Sequence, residues 1–142
     1  MVGVYRGRTV FNLAVPLARR ASAYNAEMYA LAHSSCCILH FLSTRPHIST
    51  IKIYSDCSSA LGTIFDGRPH ASQGASIFFR SQMLPLFKSC PNLRLHLIWT
   101  PGHKGTIGNV MADKRAKVGA RKPNPILDFR SEERRVGKEC VL

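Results

Sequence analysis

The sequence predicts a mixed α/β domain, in which helices flank a β-sheet. Short runs that alternate apolar and polar residues are separated by longer segments with helical periodicity. Strands that alternate with helices along a chain typically form a sheet with helical layers packed on it. The length of 142 residues suits one domain with its own hydrophobic core. No apolar run approaches the length of a membrane span.

The first predicted elements are two antiparallel strands, residues 1–5 and 9–15, joined by a tight hairpin at Arg6-Gly7-Arg8. A long helix follows from the predicted N-cap Ser22 to about residue 42, because no Gly or Pro interrupts its periodicity. Glu27 stands at the start of the apolar stripe of this helix. The helix should therefore turn one carboxylate toward the sheet.

The second half of the chain begins with a strand over residues 50–55, which ends directly before Asp56. Ligand sites in α/β sheets lie at the carboxyl ends of strands, so Asp56 is a candidate site residue. Pro85 is expected to kink or end the helix that contains it. The remaining predicted elements are a short helix 58–65, a helix 73–88, a strand 93–99, a glycine-rich loop 101–105 and a last helix 106–120.

The composition is strongly basic, with 20 Lys and Arg residues against 8 Asp and Glu residues and a net charge of +12. Such a balance is typical of proteins that bind a polyanion, either nucleic acid or an acidic membrane surface. The five cysteines form no Cys-x-x-Cys pair, so we expect no zinc knuckle or disulfide framework, and reduced thiols. The N-terminus does not resemble a secretory signal, and we expect an intracellular protein.

The C-terminal end differs in character from the rest of the chain. The run from Arg130 to Cys140 resembles the in-frame translation of a common short-read sequencing adapter. A solvated, charged tail is the alternative, and neither belongs to a core. We therefore expect a domain over residues 1–120 and a linker with a non-native or disordered tail over 121–142. The last thirteen residues hold only four of the 20 basic and three of the 8 acidic residues, so the basic character belongs to the domain.

Three of the few carboxylates of the domain come from distant segments that a sheet can bring to one edge. They are Glu27, Asp56 and Asp113, the last beside small residues of the final predicted helix. Clustered carboxylates suit Mg²⁺ or Mn²⁺, and in a basic protein this combination favours phosphodiester chemistry. Ordinary structural roles stay open: Asp56 as a helix N-cap, Glu27 as a capping-box partner near Ser22, and Asp113 as the ion-pair partner of Lys117.

Three segments carry a more specific signal. They are Tyr24-Asn-Ala-Glu-Met-Tyr-Ala-Leu31, Ile53-Tyr-Ser-Asp-Cys-Ser-Ser-Ala-Leu61 and Trp99-Thr-Pro-Gly-His-Lys-Gly-Thr-Ile-Gly-Asn-Val-Met-Ala-Asp-Lys-Arg-Ala-Lys117. Their order and spacing resemble ribonuclease H type 1, most closely the domain found at the end of non-LTR retrotransposon polyproteins. The resemblance covers residues 1–120.

The resemblance implies a ribonuclease H-like mixed five-stranded sheet of order 3-2-1-4-5 with flanking helices. It further implies an endonuclease that cuts the RNA strand of RNA–DNA hybrids with two Mg²⁺ or Mn²⁺ ions. In the parent polyprotein such a domain is tethered to a reverse transcriptase. The residues that match metal-binding carboxylates are Glu27, Asp56 and Asp113. His103 matches a mobile-loop histidine that assists proton transfer or product release. Candidate nucleic-acid contacts are Ser58, Asn109, Lys104, Lys114 and Lys117.

Two departures from the family pattern affect this interpretation. Val110 stands where the family has a glutamate, which we expect to cost a surface interaction. More seriously, no Asp or Glu precedes Glu27, whereas the family begins with a central strand that carries an Asp-Gly-Ser-like motif. We therefore expect the first strand and one catalytic carboxylate to be missing, and activity to be impaired. The alternative is a catalytically inactive, nucleic-acid-binding relic of a retrotransposon domain.

Overall fold

The computed structural model describes residues 1–14, 16–17, 21–102 and 107–121, with only the backbone described at 107–109. Four strands and four helices occur within this part of the chain. They are β1 (Val2–Tyr5), β2 (Arg8–Asn12), α1 (Ala23–Ser43), β3 (Thr50–Ser55), α2 (Ser58–Thr63), α3 (Gln73–Ser89), β4 (Arg94–Trp99) and α4 (Ile107–Arg121). Every predicted strand and helix is present, with ends that differ by at most three residues, while the predicted loop 101–105 lies mostly outside the described residues.

The four strands form two separate pairs. Strand β1 pairs with β2 in an antiparallel hairpin, and β3 pairs with β4 in parallel, with α2 and α3 in the connection between them. In the strand order that the resemblance implies, these pairs correspond to strands 3-2 and 4-5, with no strand between them among the described residues. The prediction of a mixed α/β fold is confirmed.

The hairpin turn consists of Arg6 and Gly7, whose φ angles are +49° and +75°. Two consecutive left-handed residues are typical of the type I′ turn, whose twist suits a two-residue hairpin. Arg6 occupies this region although it carries a Cβ, and its guanidinium lies 5.3 Å from the centroid of the Tyr5 ring. The hairpin ends with Met1 and Leu13, which exchange two backbone hydrogen bonds of 2.8 and 3.0 Å.

The helices begin and end largely as local sequence predicts. Ser22 is the N-cap of α1, and its side chain accepts a hydrogen bond from the Asn25 backbone N–H at 3.1 Å. Helix α3 contains Pro85 and nevertheless continues to Ser89, so the proline does not end it. Pro85 and the preceding turn at Ser81 are exposed, so solvent can satisfy the carbonyl that loses its intrahelical donor.

The hydrophobic core lies between the helices and one face of the β3–β4 pair. Helix α1 packs against α3, and α2 contacts both α1 and β4. The residues with no exposed surface include Met28 of α1, Ala60 of α2, and Phe79 and Met83 of α3. The strand residues packed against this cluster are Ile51, Ile53, Leu95 and Leu97.

The expectation for the cysteines is only partly correct. Cys37, Cys57 and Cys90 are free thiols, and Cys37 and Cys57 are half-buried as expected of small apolar side chains. Cys36 is disulfide-bonded, so the prediction of reduced cysteines was wrong there. Cysteine spacing alone does not determine which cysteines pair.

Among the described helices, none combines the length and apolar character that a membrane span requires. The expected linker and tail over 121–142 lie outside the described residues, apart from Arg121, which ends α4. The domain boundary and the adapter-like origin of the tail therefore stay predictions.

Candidate active site

Glu27 lies on the second turn of α1, half-buried and turned toward the end of β3. Its Oε2 atom accepts a hydrogen bond of 2.8 Å from the Ser55 hydroxyl. The same Ser55 oxygen accepts a bond of 3.1 Å from the Cys57 backbone N–H. Ser55 is the last residue of β3 and is buried. A chain of two hydrogen bonds thus joins the Glu27 carboxylate to the backbone on both sides of Asp56.

Asp56 follows β3 directly, and its side chain is exposed. Its backbone carbonyl accepts a hydrogen bond from the Trp99 indole N–H at 3.1 Å, which ties the ends of β3 and β4 together. Gly102 lies against the other side of the residue: a Cβ there would be 3.1 Å from Asp56 Oδ2. Glycine leaves room for this close approach, because a Cβ there would require the Asp56 carboxylate to shift by a few tenths of an ångström.

Asp113 lies on α4 and differs from the other two carboxylates in its partner. It forms an ion pair of 2.8 Å with Lys117 one turn later, and both side chains are mostly exposed. This is the i,i+4 pair that the sequence left open as the structural alternative. Such exposed pairs are weak, at about 0.3–0.5 kcal/mol, so Lys117 does not prevent Asp113 from taking another partner.

All three carboxylates line one cavity of about 1350 Å³, the central cavity, whose walls include strands β1 and β3 and helices α1 and α4. The Met1 ammonium group also lies at the Glu27 end of this cavity. Its pKa is lowered by burial, while the nearby Glu27 carboxylate opposes the shift. Within the described residues, no three His, Cys, Asp or Glu side chains are close enough together to hold a metal ion.

The two capping alternatives from the sequence are not what the structure has. Cys57, not Asp56, is the N-cap of α2, and no side chain caps that helix. Ser22 caps α1 without help from Glu27, which bonds Ser55 instead. Neither carboxylate forms a salt bridge within the described part of the chain, although the Met1 ammonium interacts with Glu27 at longer range.

The candidate nucleic-acid contacts are only partly described. Ser58 is the first residue of α2 and is exposed, without a capping role. Lys114 and Lys117 lie on the exposed surface of α4. The backbone of Asn109 is in α4, and its side chain is not described. His103 and Lys104 lie outside the described residues.

Three residues that position this site were not among the sequence candidates: Ser55, Trp99 and Gly102. Ser55 had a signal, because it is the one polar residue on the strand face that also carries Ile51 and Ile53. A hydroxyl on an apolar face needs a buried partner, and the Glu27 carboxylate is that partner. Trp99 acts through a hydrogen bond to the Asp56 backbone, and Gly102 acts through its close approach to the Asp56 carboxylate. Strand periodicity indicates neither contact.

The comparison with known families is decisive. The model of the RNase H family matches residues 1–121, which is all but the last 21 residues of the chain. The chain belongs to the RNase H family. This membership of the RNase H family supports a hydrolytic nuclease function of ribonuclease H type. Neither the curated proteins nor the solved structures contain a match to the chain.

Proposed function

We propose that this RNase H domain is an endonuclease that hydrolyses the RNA strand of RNA–DNA hybrids, leaving 3′-hydroxyl and 5′-phosphate ends. The observation that carries the proposal is the pair of carboxylates, Glu27 and Asp56, linked through Ser55 at one end of the central cavity. Neither carboxylate forms a salt bridge within the described residues, which favours a role for them other than surface ion pairing.

The donor set fits hard divalent cations such as Mg²⁺ or Mn²⁺. Glu27 and Asp56 offer carboxylate oxygens from two elements, and Asp113 faces the same cavity from a third. When bound, such ions activate a water and stabilise the leaving oxygen of the phosphodiester. Two neighbouring ions repel one another and need several carboxylates to offset this. Three carboxylates, one of them shared with Lys117, support weaker metal binding, so we propose that activity is impaired.

The protein's own residues supply positioning. Ser55 and Trp99 hold Glu27 and the Asp56 backbone in a fixed geometry, which favours a preorganised site. His103, in the glycine-flanked loop after β4, is the candidate group for proton transfer or product release. Exposed Lys114 and Lys117, together with Lys104, Ser58 and Asn109, are the candidate contacts to the phosphate backbone. Recognition would rest on shape and 2′-hydroxyl groups instead of base sequence.

One observation favours a second candidate, an inactive nucleic-acid-binding relic of a retrotransposon domain. The Asp113 carboxylate is paired with Lys117, and the described residues contain no group of three metal ligands. Such a protein would keep the basic surface and bind duplexes without cutting them. In either case the proposed setting is an intracellular one, in which the parent polyprotein tethers the domain to a reverse transcriptase.

The decisive experiment compares cleavage of an RNA–DNA hybrid in Mg²⁺ and in Mn²⁺ by the chain and by a version extended at its N-terminus with a strand that ends in Asp-Gly-Ser. We expect weak or undetectable cleavage by the chain and an increase of orders of magnitude in the extended version. In the latter, Asp56→Asn should abolish cleavage and leave hybrid binding intact or strengthened. Asp66→Asn is the matched control, because Asp66 pairs with Arg68 on the surface away from the central cavity.

Two outcomes would change the proposal. Full metal-dependent cleavage by the unextended chain would refute the argument from missing carboxylates. An extended chain that binds hybrid and never cuts it would favour the relic.

Binding is tested separately by titration with hybrid and with double-stranded RNA at two salt concentrations. We expect binding without sequence preference that weakens steeply as salt rises, because phosphate contacts release counterions. Binding that does not respond to salt, or that prefers one sequence strongly, would contradict recognition of the backbone.

A further inference from the structure

Two arginines and two aromatic rings form a cluster where the β1–β2 turn meets the C-terminal end of α1. The Arg6 guanidinium lies over the Tyr5 ring, 5.3 Å from its centroid, and the Arg45 guanidinium lies over the Phe41 ring at 4.2 Å. The two rings pack edge to face with centroids 5.3 Å apart, and the Tyr5 hydroxyl is 3.1 Å from His47 Nε2. These contacts are continuous, so the five residues form one surface, the arginine–aromatic patch.

The patch is separate from the candidate active site. His47 lies three residues before β3, whereas Asp56 directly follows that strand. The six residues of β3 span about 20 Å. Along α1, Phe41 lies fourteen residues after Glu27, a distance of about 21 Å at the rise of an α-helix. A single nucleotide bound at the patch therefore does not touch the carboxylates of the site.

The charges of the two arginines in the patch are not balanced by neighbouring carboxylates. Within the described part of the chain, neither Arg6 nor Arg45 forms a salt bridge. Arg45 donates one hydrogen bond, of 2.8 Å, to the Thr44 hydroxyl. A guanidinium has more N–H donors than this one bond uses, and it stays charged at every physiological pH. Both arginines therefore keep donors and positive charge for an anionic ligand.

The backbone at Arg6 is a second and independent indication of a ligand. Its φ of +49° is in the left-handed region, which a residue with a Cβ rarely adopts and which asparagine or glycine would occupy more easily in this turn. The side chain is exposed, so burial does not explain an arginine there. Residues held in such conformations are concentrated at functional sites. The position thus favours a binding role for the Arg6 guanidinium.

We propose that the arginine–aromatic patch binds single-stranded nucleic acid. The Arg6 and Arg45 guanidiniums contact phosphates, for which their planar donor groups are suited. Unpaired bases stack on guanidinium planes and on aromatic rings, and Arg6 and the His47 ring are exposed. An unpaired strand presents phosphates and base faces together, whereas a duplex hides its base faces and a lipid or an acidic peptide has none. The proposal goes beyond the nuclease function and does not depend on it, because neither the carboxylates nor a metal ion takes part.

The test measures binding of a fluorescein-labelled, twelve-nucleotide oligothymidylate to the full chain by fluorescence anisotropy, in EDTA. We expect Arg6→Asn to weaken binding about tenfold, which corresponds to ~1.4 kcal/mol. Asparagine suits the left-handed backbone of the turn, so this loss does not come from a damaged hairpin. Because one phosphate contact is lost, the slope of log affinity against log salt should also become less steep by about 0.7.

Two further variants separate the patch from the general positive charge of the protein. Arg68→Asn removes the same charge from a side chain that pairs with Asp66 outside the patch, and should change binding less than about twofold. Arg45→Lys keeps the charge and loses the planar group, so we expect binding to weaken about fivefold through the loss of one stacked base. In the ¹⁵N-labelled chain, the oligonucleotide should shift the amide signals of Arg6 and Arg45 and leave that of Asp56 unchanged.

Several results would overturn the proposal. They are parental affinity in Arg6→Asn, an equal loss in Arg68→Asn, or parental affinity in Arg45→Lys. Binding to phosphatidylserine vesicles that depends on Arg6, without binding of the oligonucleotide, would assign the patch to a membrane surface instead. An equal loss of affinity of Arg6→Asn for an RNA–DNA hybrid would make the patch part of the hybrid surface, whereas hybrid binding without oligonucleotide binding would refute this proposal alone. If Arg6→Asn fails to fold by circular dichroism, Arg45→Lys still decides the outcome.

Discussion

The two strand pairs of this protein are stabilised in different ways. The β3–β4 pair rests on a core that α1, α2 and α3 share, and no residue of the β1–β2 hairpin belongs to that core cluster within the described part of the chain. The hairpin is instead held by its own ladder, by contact with α4 and by Tyr5, whose ring packs on Phe41 with centroids 5.3 Å apart. An isolated two-stranded hairpin is marginally stable in water. We therefore expect the β3–β4 pair, which carries the site residues near β3, to be the more stable of the two strand pairs.

The largest expected effect comes from removing the centre of the core. Phe79 has no exposed surface and packs edge-on against Phe65, with ring centroids 5.4 Å apart. We expect Phe79→Ala to lower the free energy of unfolding by about 3–5 kcal/mol, because it leaves a cavity among buried side chains. Ile77→Ala, two residues away and 52% exposed, is the control and should change stability by less than about 0.5 kcal/mol. Denaturant unfolding measures both, and equal losses would contradict the assigned core.

Hydrogen exchange tests the comparison itself. We expect the amides of residues 1–13 to open with a free energy about 2–3 kcal/mol lower than those of residues 51–54 and 94–99, since few buried contacts hold the hairpin. The difference corresponds to roughly a hundredfold faster exchange. Uniformly slow exchange in a monomer would mean that the hairpin is part of the cooperative core.

Gly3→Ala should break the hairpin without harming the other half. A Cβ at Gly3 would overlap the Phe11 ring on the paired strand. We expect a cost of about 1–3 kcal/mol, seen as faster exchange within the hairpin alone. Gly62→Ala is the matched control, because nothing lies within 4 Å of a Cβ in that position of α2. Loss of the β3–β4 amide protection in Gly3→Ala would show that the halves unfold together.

The smallest expected effect is a gain in stability at the turn. Arg6 has φ of +49°, a region that asparagine adopts more readily than arginine does. Arg6→Asn also removes the contact of the Arg6 guanidinium with the Tyr5 ring. With this loss included, we expect the variant to stabilise the hairpin by about 0.5 kcal/mol. Arg8→Asn removes the same charge at a residue without positive φ and should bring no gain. Slower exchange at Tyr5 and Arg8 in the first variant alone is the result that supports this account.

Local sequence patterns predicted the elements correctly because the interactions that define them span only a few residues. The cap of α1 at Ser22 bonds Asn25 three positions later. Strand β3 follows from alternation over six residues, and the turn at Arg6-Gly7 from its length and its glycine. The family motifs name Glu27 and Asp56 as residues of one site, and this stays a prediction; both residues line the central cavity.

Other features depend on contacts between segments that are distant in sequence, so only the tertiary structure decided them. The bond from Ser55 to Glu27 joins residues 28 positions apart, and the bond from Trp99 to Asp56 joins residues 43 apart. The continuation of α3 through Pro85 depends on whether solvent reaches the Ser81 carbonyl, which loses its intrahelical donor at Pro85. No local pattern contains such information, because burial and long-range pairing are properties of the packed molecule.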